Sequence, residues 1–198
     1  MTVGLAAFMD YLQILESVQV DPRYQANLAW GEARDGHPEG SVGAHIAELE
    51  QILEHVRRYL SDLEVAKLRL LIHTHDSFKA EASPGVPILD PRSHASIARE
   101  FLATYCADSD LLAMVQLHDE PFALWRQASV KGRCNAERFA SLLAAVADWP
   151  LFLAFLVIDG CTYGKSREPL DWLLAEFAGR FPVHFTPADI PNDLRGGA

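Results

Sequence analysis

The sequence predicts an all-α protein, a single-domain bundle of about seven or eight helices on one core. Three observations carry that expectation. Apolar residues recur with a helical period, as in Leu49, Ile52, Leu53, Val56 and Leu60 at i, i+3, i+4, i+7 and i+11. Helix-start chemistry precedes the apolar runs, most clearly in Ser61 followed by Glu64, a capping box. No segment alternates apolar and polar residues as a half-buried strand would, and no internal repeat or low-complexity stretch intervenes.

The elements follow in chain order. Met1 to Val18 reads as an amphipathic helix, because Asp10 and Glu16 and the lack of a basic leading segment do not suit a signal peptide. Ser41 caps the helix that carries Leu49 to Leu60. Ser61 opens a second through Val65, Leu68, Leu71 and Ile72. Ala80 to Pro91 holds Pro84, Gly85, Pro87 and Pro91 and is a loop. It is a poor domain boundary, because the helices on either side are too few for separate cores. Ser93 starts a helix through Ile97, Phe101 and Leu102, and Asp108 or Ser109 caps Leu111 to His118. Pro121 fits the first turn of a short helix ending near Gln127, and Val130 to Arg133 is a polar turn containing Gly132. Asn135 caps a helix expected to kink at Trp149-Pro150 and continue to Asp159. A last helix spans Pro169 to Ala178. The polar tail from Thr186 is expected to fray at Gly196 and Gly197.

Composition narrows the function classes. The 198 residues include 17 Lys plus Arg and 27 Asp plus Glu, a formal charge of −10, and 49% are hydrophobic. That hydrophobic share excludes wholesale disorder. The charge argues against gripping nucleic acid or an anionic membrane. The longest uninterrupted apolar run in the tempting stretch Phe139 to Ile158 is Leu151 to Ile158, far short of the roughly 20 residues a membrane span needs. Cys106, Cys134 and Cys161 form no CxxC pair, so they read as reduced thiols in a cytoplasmic protein.

The histidines carry the chemistry. His75-Asp76 ends an apolar helix, where a nitrogen and an oxygen can be offered to one metal ion. His45, His94, His118 and Asp159 also fall at or near predicted helix ends. His55 shares a helix and a similar face with His45, so spacing does not choose between them. His73 faces nearly the opposite side from His75 and reads as structural or supporting. His37, in a Gly/Pro loop, and His184 fall outside this order.

A histidine, then a His-Asp pair, then a distal aspartate on a helical bundle resembles the HD superfamily. The resemblance runs from about Ser41 to Lys165, with residues 166–198 as a C-terminal helix and tail. It implies His45, His75, Asp76 and Asp159 as metal ligands. His94 and His118, in the interval, resemble the two added ligands of dinuclear members. The resemblance also implies that Asp76 bridges two ions. Imidazole and carboxylate donors suit two divalent cations, iron first, then manganese, cobalt or zinc. Two such ions can hold a bridging hydroxide as nucleophile.

The remaining roles follow from charge and position. Lys79 stands where many HD proteins carry the lysine of HDxGK, an anion contact. Here Phe78 replaces the glycine and is expected to narrow the space beside it. Lys165, Arg167 and Arg126 are further candidate contacts to a small anionic substrate, with Lys131 and Arg133 as rim charges. Asp119 is a candidate general acid or base, or alternatively the cap of the helix at Pro121. Trp125 and Tyr163 are candidate apolar walls. The expected activity is metal-dependent phosphohydrolysis of a small phosphate ester or nucleotide, with Asp76, Lys79 and Asp119 as catalytic groups. The alternative is an HD-type diiron oxygenase that cleaves a C–C or C–P bond in a polyol or organophosphonate. Bundles of this kind often pair as homodimers through exposed faces.

Overall fold

In the computed structural model, which describes residues 2–192 and 194, the chain is an all-α domain. Ten α-helices stand in order: α1 (Thr2–Val20), α2 (Pro22–Asn27), α3 (Val42–Val56), α4 (Asp62–Thr74), α5 (His94–Ala103), α6 (Ser109–Leu117), α7 (Glu120–Lys131), α8 (Ala136–Ala145), α9 (Trp149–Gly160) and α10 (Glu168–Phe177). Short 3-10 turns cover Arg57–Tyr59 and Pro187–Asp189. The described residues form no strand; Arg34 and His37 make one isolated bridge. The tail glycines Gly196 and Gly197 lie outside the described residues.

Caps set the helix starts. Ser41 accepts from the Ala44 amide, Ser93 from Ser96 and Asn135 from Arg138. Ser61 and Glu64 close the expected reciprocal box, and Asp108 rather than Ser109 caps α6. The turn after α7 comes later than expected. The helix runs on to Lys131 and stops at Gly132, whose φ of +68° suits a residue without Cβ.

Two differences from the sequence reading raise the helix count. Asp21 accepts from the Arg23 and Tyr24 amides, and Pro22 supplies the first turn, so α2 forms directly after α1. The long helix expected from Asn135 to Asp159 is two helices, bent by 111°. A kink at Pro150 alone does not describe this break. The Asp110 carboxylate accepts from the Ala147 and Asp148 amides at 2.6 and 2.8 Å, which draws those donors out of a continuous helix. Asp148 then caps α9 through the Leu151 amide, and Pro150 has no amide to lose.

α4 is the hub and packs on α1, α3, α5, α6 and α9. α9 is buried all round from Trp149 to Ile158, except for half-buried Pro150, and its charged residue, Asp159, comes only at its end. A helix that is apolar on every face belongs inside a bundle. No single helix among the described residues is long and apolar enough to cross a membrane. α8 and α9 meet that test only together, across their bend.

This packing positions the site. α4, α6 and α9 end beside one another, and α3 and α5 begin there. The carbonyl ends of three helices carry partial negative charge, which favours cations at that end of the bundle.

Candidate metal centre

Six residues that lie up to 114 positions apart converge on this end. His75 is the C-cap of α4 and Asp76 follows it; His118 is the C-cap of α6; Asp159 closes α9. His45 sits in the first turn of α3 and His94 opens α5. His45, His75, Asp76 and His118 are buried.

Asp76 joins two groups. His45, His75 and Asp76 form one set of donors able to share an ion, and Asp76, His94 and His118 form another. Asp76 Oδ2 lies 3.5 Å from His75 Nε2. Its Oδ1 lies 3.4 Å from His118 Nε2 and 3.5 Å from His94 Nε2. Asp159 Oδ1 adds to the first set, 3.1 Å from His45 Nε2 and 3.9 Å from His75 Nε2.

Local structure decides which nitrogen faces the site. His75 Nδ1 lies 3.1 Å from both the Leu71 and the Ile72 carbonyl, and His118 Nδ1 lies 2.8 Å from the Val115 carbonyl. Carbonyls of the last helical turn want donors. Nδ1 therefore donates to these carbonyls, and Nε2 is the nitrogen turned to the site. This is the support that metal-bound imidazoles receive. His75 Nε2 and Asp76 Oδ1 are buried and make no hydrogen bond. Buried polar atoms left this way are costly unless another partner is supplied, and a metal ion supplies it. The donor chemistry, the orphaned atoms and the fixed ring orientations all fit a cation.

Electrostatics divide the two rings. Burial drives the His75 pKa down to about 3, so the ring is neutral and available as a ligand. Burial also opposes charge on His118, but the Asp119 and Asp76 carboxylates outweigh it and push that pKa up to about 9, so an ion at this Nε2 would have to displace a proton. Desolvation would raise Asp76 and Asp159. Lys79 and Lys165 hold them well below the usual carboxylate range instead. Lys79 Nζ sits on Asp76 Oδ2, and Lys165 Nζ lies 2.6 Å from Asp159 Oδ1.

Beside these groups opens a cavity of about 330 Å³. Asp76, His118, Asp119, Asp159, Lys79 and Lys165 line it together with Leu156, Leu170 and Leu173. Asp119 stands at the N-cap of α7 but makes no capping bond with its side chain. Its carboxylate turns to His94 and His118, at 3.3 and 3.7 Å. His45 rather than His55 meets the cluster.

Other expectations do not meet here. Phe78 narrows nothing, because its ring is fully buried against Phe101 and lies under Arg23. Arg167 is turned to the Gly160 carbonyl and the Cys161 sulfur and is absent from the cavity lining. Arg126 and Lys131 line a neighbouring groove, which shares Lys79, Asp119 and Phe122 with the cavity. Arg133 lies in a separate recess. Tyr163 is exposed, and neither it nor Trp125 lines the cavity. Cys106 and Cys161 are buried and no disulfide forms.

Two site residues were not legible in advance. Glu39 Oε1 lies 3.1 Å from His45 Nδ1 and 2.9 Å from His37 Nδ1. Together the three form a further group of donors, and His37 also lines the cavity. Both sit in the loop before α3, where no periodicity marks them. Their only signal is an acid and an imidazole either side of Pro38. Comparison with known protein families, characterised proteins and solved structures finds no match to this chain.

Proposed function

We propose that this chain is a metal-dependent phosphohydrolase of the HD type, acting on a small phosphate ester. The observation that carries the reading is the placement of Asp76: each carboxylate oxygen faces a different imidazole group, and a lysine sits on the carboxylate. One divalent ion would be held by His45, His75, Asp76 and Asp159, and a second by Asp76, His94 and His118. Iron, manganese, cobalt or zinc suits these donors. When bound, the pair supplies Lewis acidity and lowers the pKa of a water for attack on phosphorus.

The chain's own residues supply the rest. Lys79 and Lys165 hold the phosphoryl oxygens, since an ion that takes the carboxylate oxygens leaves both ammonium groups facing the cavity. Asp119 lies within reach of the cavity and beside His94 and His118, a position suited to moving a proton to or from the reacting oxygens. The leucines of α9 and α10 keep bulk water away from the charges, which strengthens them.

The same donors suit a diiron oxygenase. The apolar side of the cavity favours that second reading, because reactive intermediates are protected where water is excluded. One experiment separates the two. Protein purified anaerobically is analysed for metal, then assayed for phosphate release and for oxygen consumption. Phosphate release with manganese or cobalt and no oxygen is the expected result. Oxygen uptake that depends on iron and on an organophosphonate or polyol replaces the first reading with the second.

A further inference from the structure

The cavity has two chemistries in one space. Lys79 and Lys165 bring positive charge to the ligating carboxylates. Leu156 from α9, Leu170 and Leu173 from α10 and Phe122 from α7 line the same volume. A sugar or a nucleobase would leave hydroxyl or amide groups against these side chains without partners, which costs free energy. A hydrocarbon would not. Phe122 adds an aromatic face: it is 46% exposed, packs on Trp125 and lines both the cavity and the neighbouring groove, so its ring stands where an apolar group entering the cavity would meet it.

Resting on the metal-site reading above, we propose that the substrate is an amphiphilic anion: a phosphate-type head held at Lys79 and Lys165, and a hydrocarbon chain against Phe122, Leu156, Leu170 and Leu173. The site selects alkyl or aryl phosphates over nucleotides and sugar phosphates. About 330 Å³ accommodates a head group and a chain of several carbons. Asp35, which also lines the cavity, disfavours a second anionic group on the same molecule.

The test is titration calorimetry with n-alkylphosphonates on manganese-loaded protein without oxygen, where the C–P bond stays intact. Affinity is expected to rise about fourfold per methylene from ethyl- to hexylphosphonate. The phosphonate analogue of a nucleoside monophosphate is expected to bind more weakly than hexylphosphonate. Phe122→Ser should flatten the series, and because Phe122 is half exposed the variant should fold. Equal affinity along the series, or tighter binding of the nucleotide analogue, overturns this proposal and leaves the metal-site reading standing. Failure of every phosphonate to bind metal-loaded protein overturns this proposal and the phosphate-ester substrate class, whereas failure to load manganese overturns the metal-site reading itself.

Discussion

Asp76 Oδ1 lies 3.4 Å from His118 Nε2, while the other oxygen of the same carboxylate faces His75. One side chain thus belongs to two donor groups. That makes the two halves of the centre unequal in what each substitution removes.

Asp76→Ala is expected to lose the metal of both groups, and His94→Ala that of one. Elemental analysis after metal loading should give background content for the first variant and about half the wild-type content for the second. If Asp76→Ala keeps half or more, the carboxylate is not shared.

Glu39 stands beside the donor cluster, against His45 and His37. Its carboxylate faces His45 Nδ1 and His37 Nδ1, and although burial opposes ionisation, those two imidazoles hold its pKa down to about 2. Glu39→Gln removes the charge and keeps the size. Metal affinity should fall about 10- to 100-fold, with helix content by circular dichroism unchanged. Unaltered affinity would show that Glu39 does not orient His45.

The loop that carries Lys165 depends on Gly164. Its φ is +82°, and a Cβ there would stand 2.7 Å from Pro38 Cδ. Gly132 has a comparable φ of +68° but nothing within 4 Å of an added Cβ. Gly132→Ala should therefore report backbone strain alone, about 1 kcal/mol, and Gly164→Ala more, up to about 3 kcal/mol. Urea unfolding of both variants measures the difference, and equal losses would remove the Pro38 contact from the account.

Asp108 ties α1 and α4 to the start of α6. It accepts from Tyr11 at 2.7 Å and Lys67 at 2.8 Å, and it caps α6. Burial would raise its pKa, but Lys67 and Tyr11 hold it below the ordinary value. A carboxyl depressed in the folded state adds stability above its unfolded pKa and loses it as pH falls through the folded one. Asp108→Asn keeps a capping side chain and drops the charge. Wild type should exceed the variant by about 1 kcal/mol at neutral pH, and the gap should close below the ordinary carboxyl range. A gap that persists into strong acid would assign the effect to shape instead of charge.

Much of the fold was readable because helix signals are local. The capping box at Ser61 and Glu64 and the caps at Ser41, Ser93 and Asn135 need only neighbours in the chain, and each formed. α2 carries the same kind of signal in Asp21-Pro22, but its six residues are too short to show an apolar period. The separation of α8 from α9 was not local. The carboxylate that holds the break belongs to Asp110, more than thirty positions away.

The sequence by itself determined the all-α class, most helix starts and the His75-Asp76 pair, since these rest on period, caps and adjacency. Only the tertiary structure decided what shares the site. It brought His45 rather than His55 to Asp159, turned Asp119 from a cap toward His94 and His118, sent Phe78 into the core and Arg167 to the Gly160 carbonyl, and added Glu39 from a loop. The physical reason is range. A cap or an apolar face is set within one or two turns of chain, whereas a cluster of donors at the ends of five helices depends on how those helices pack.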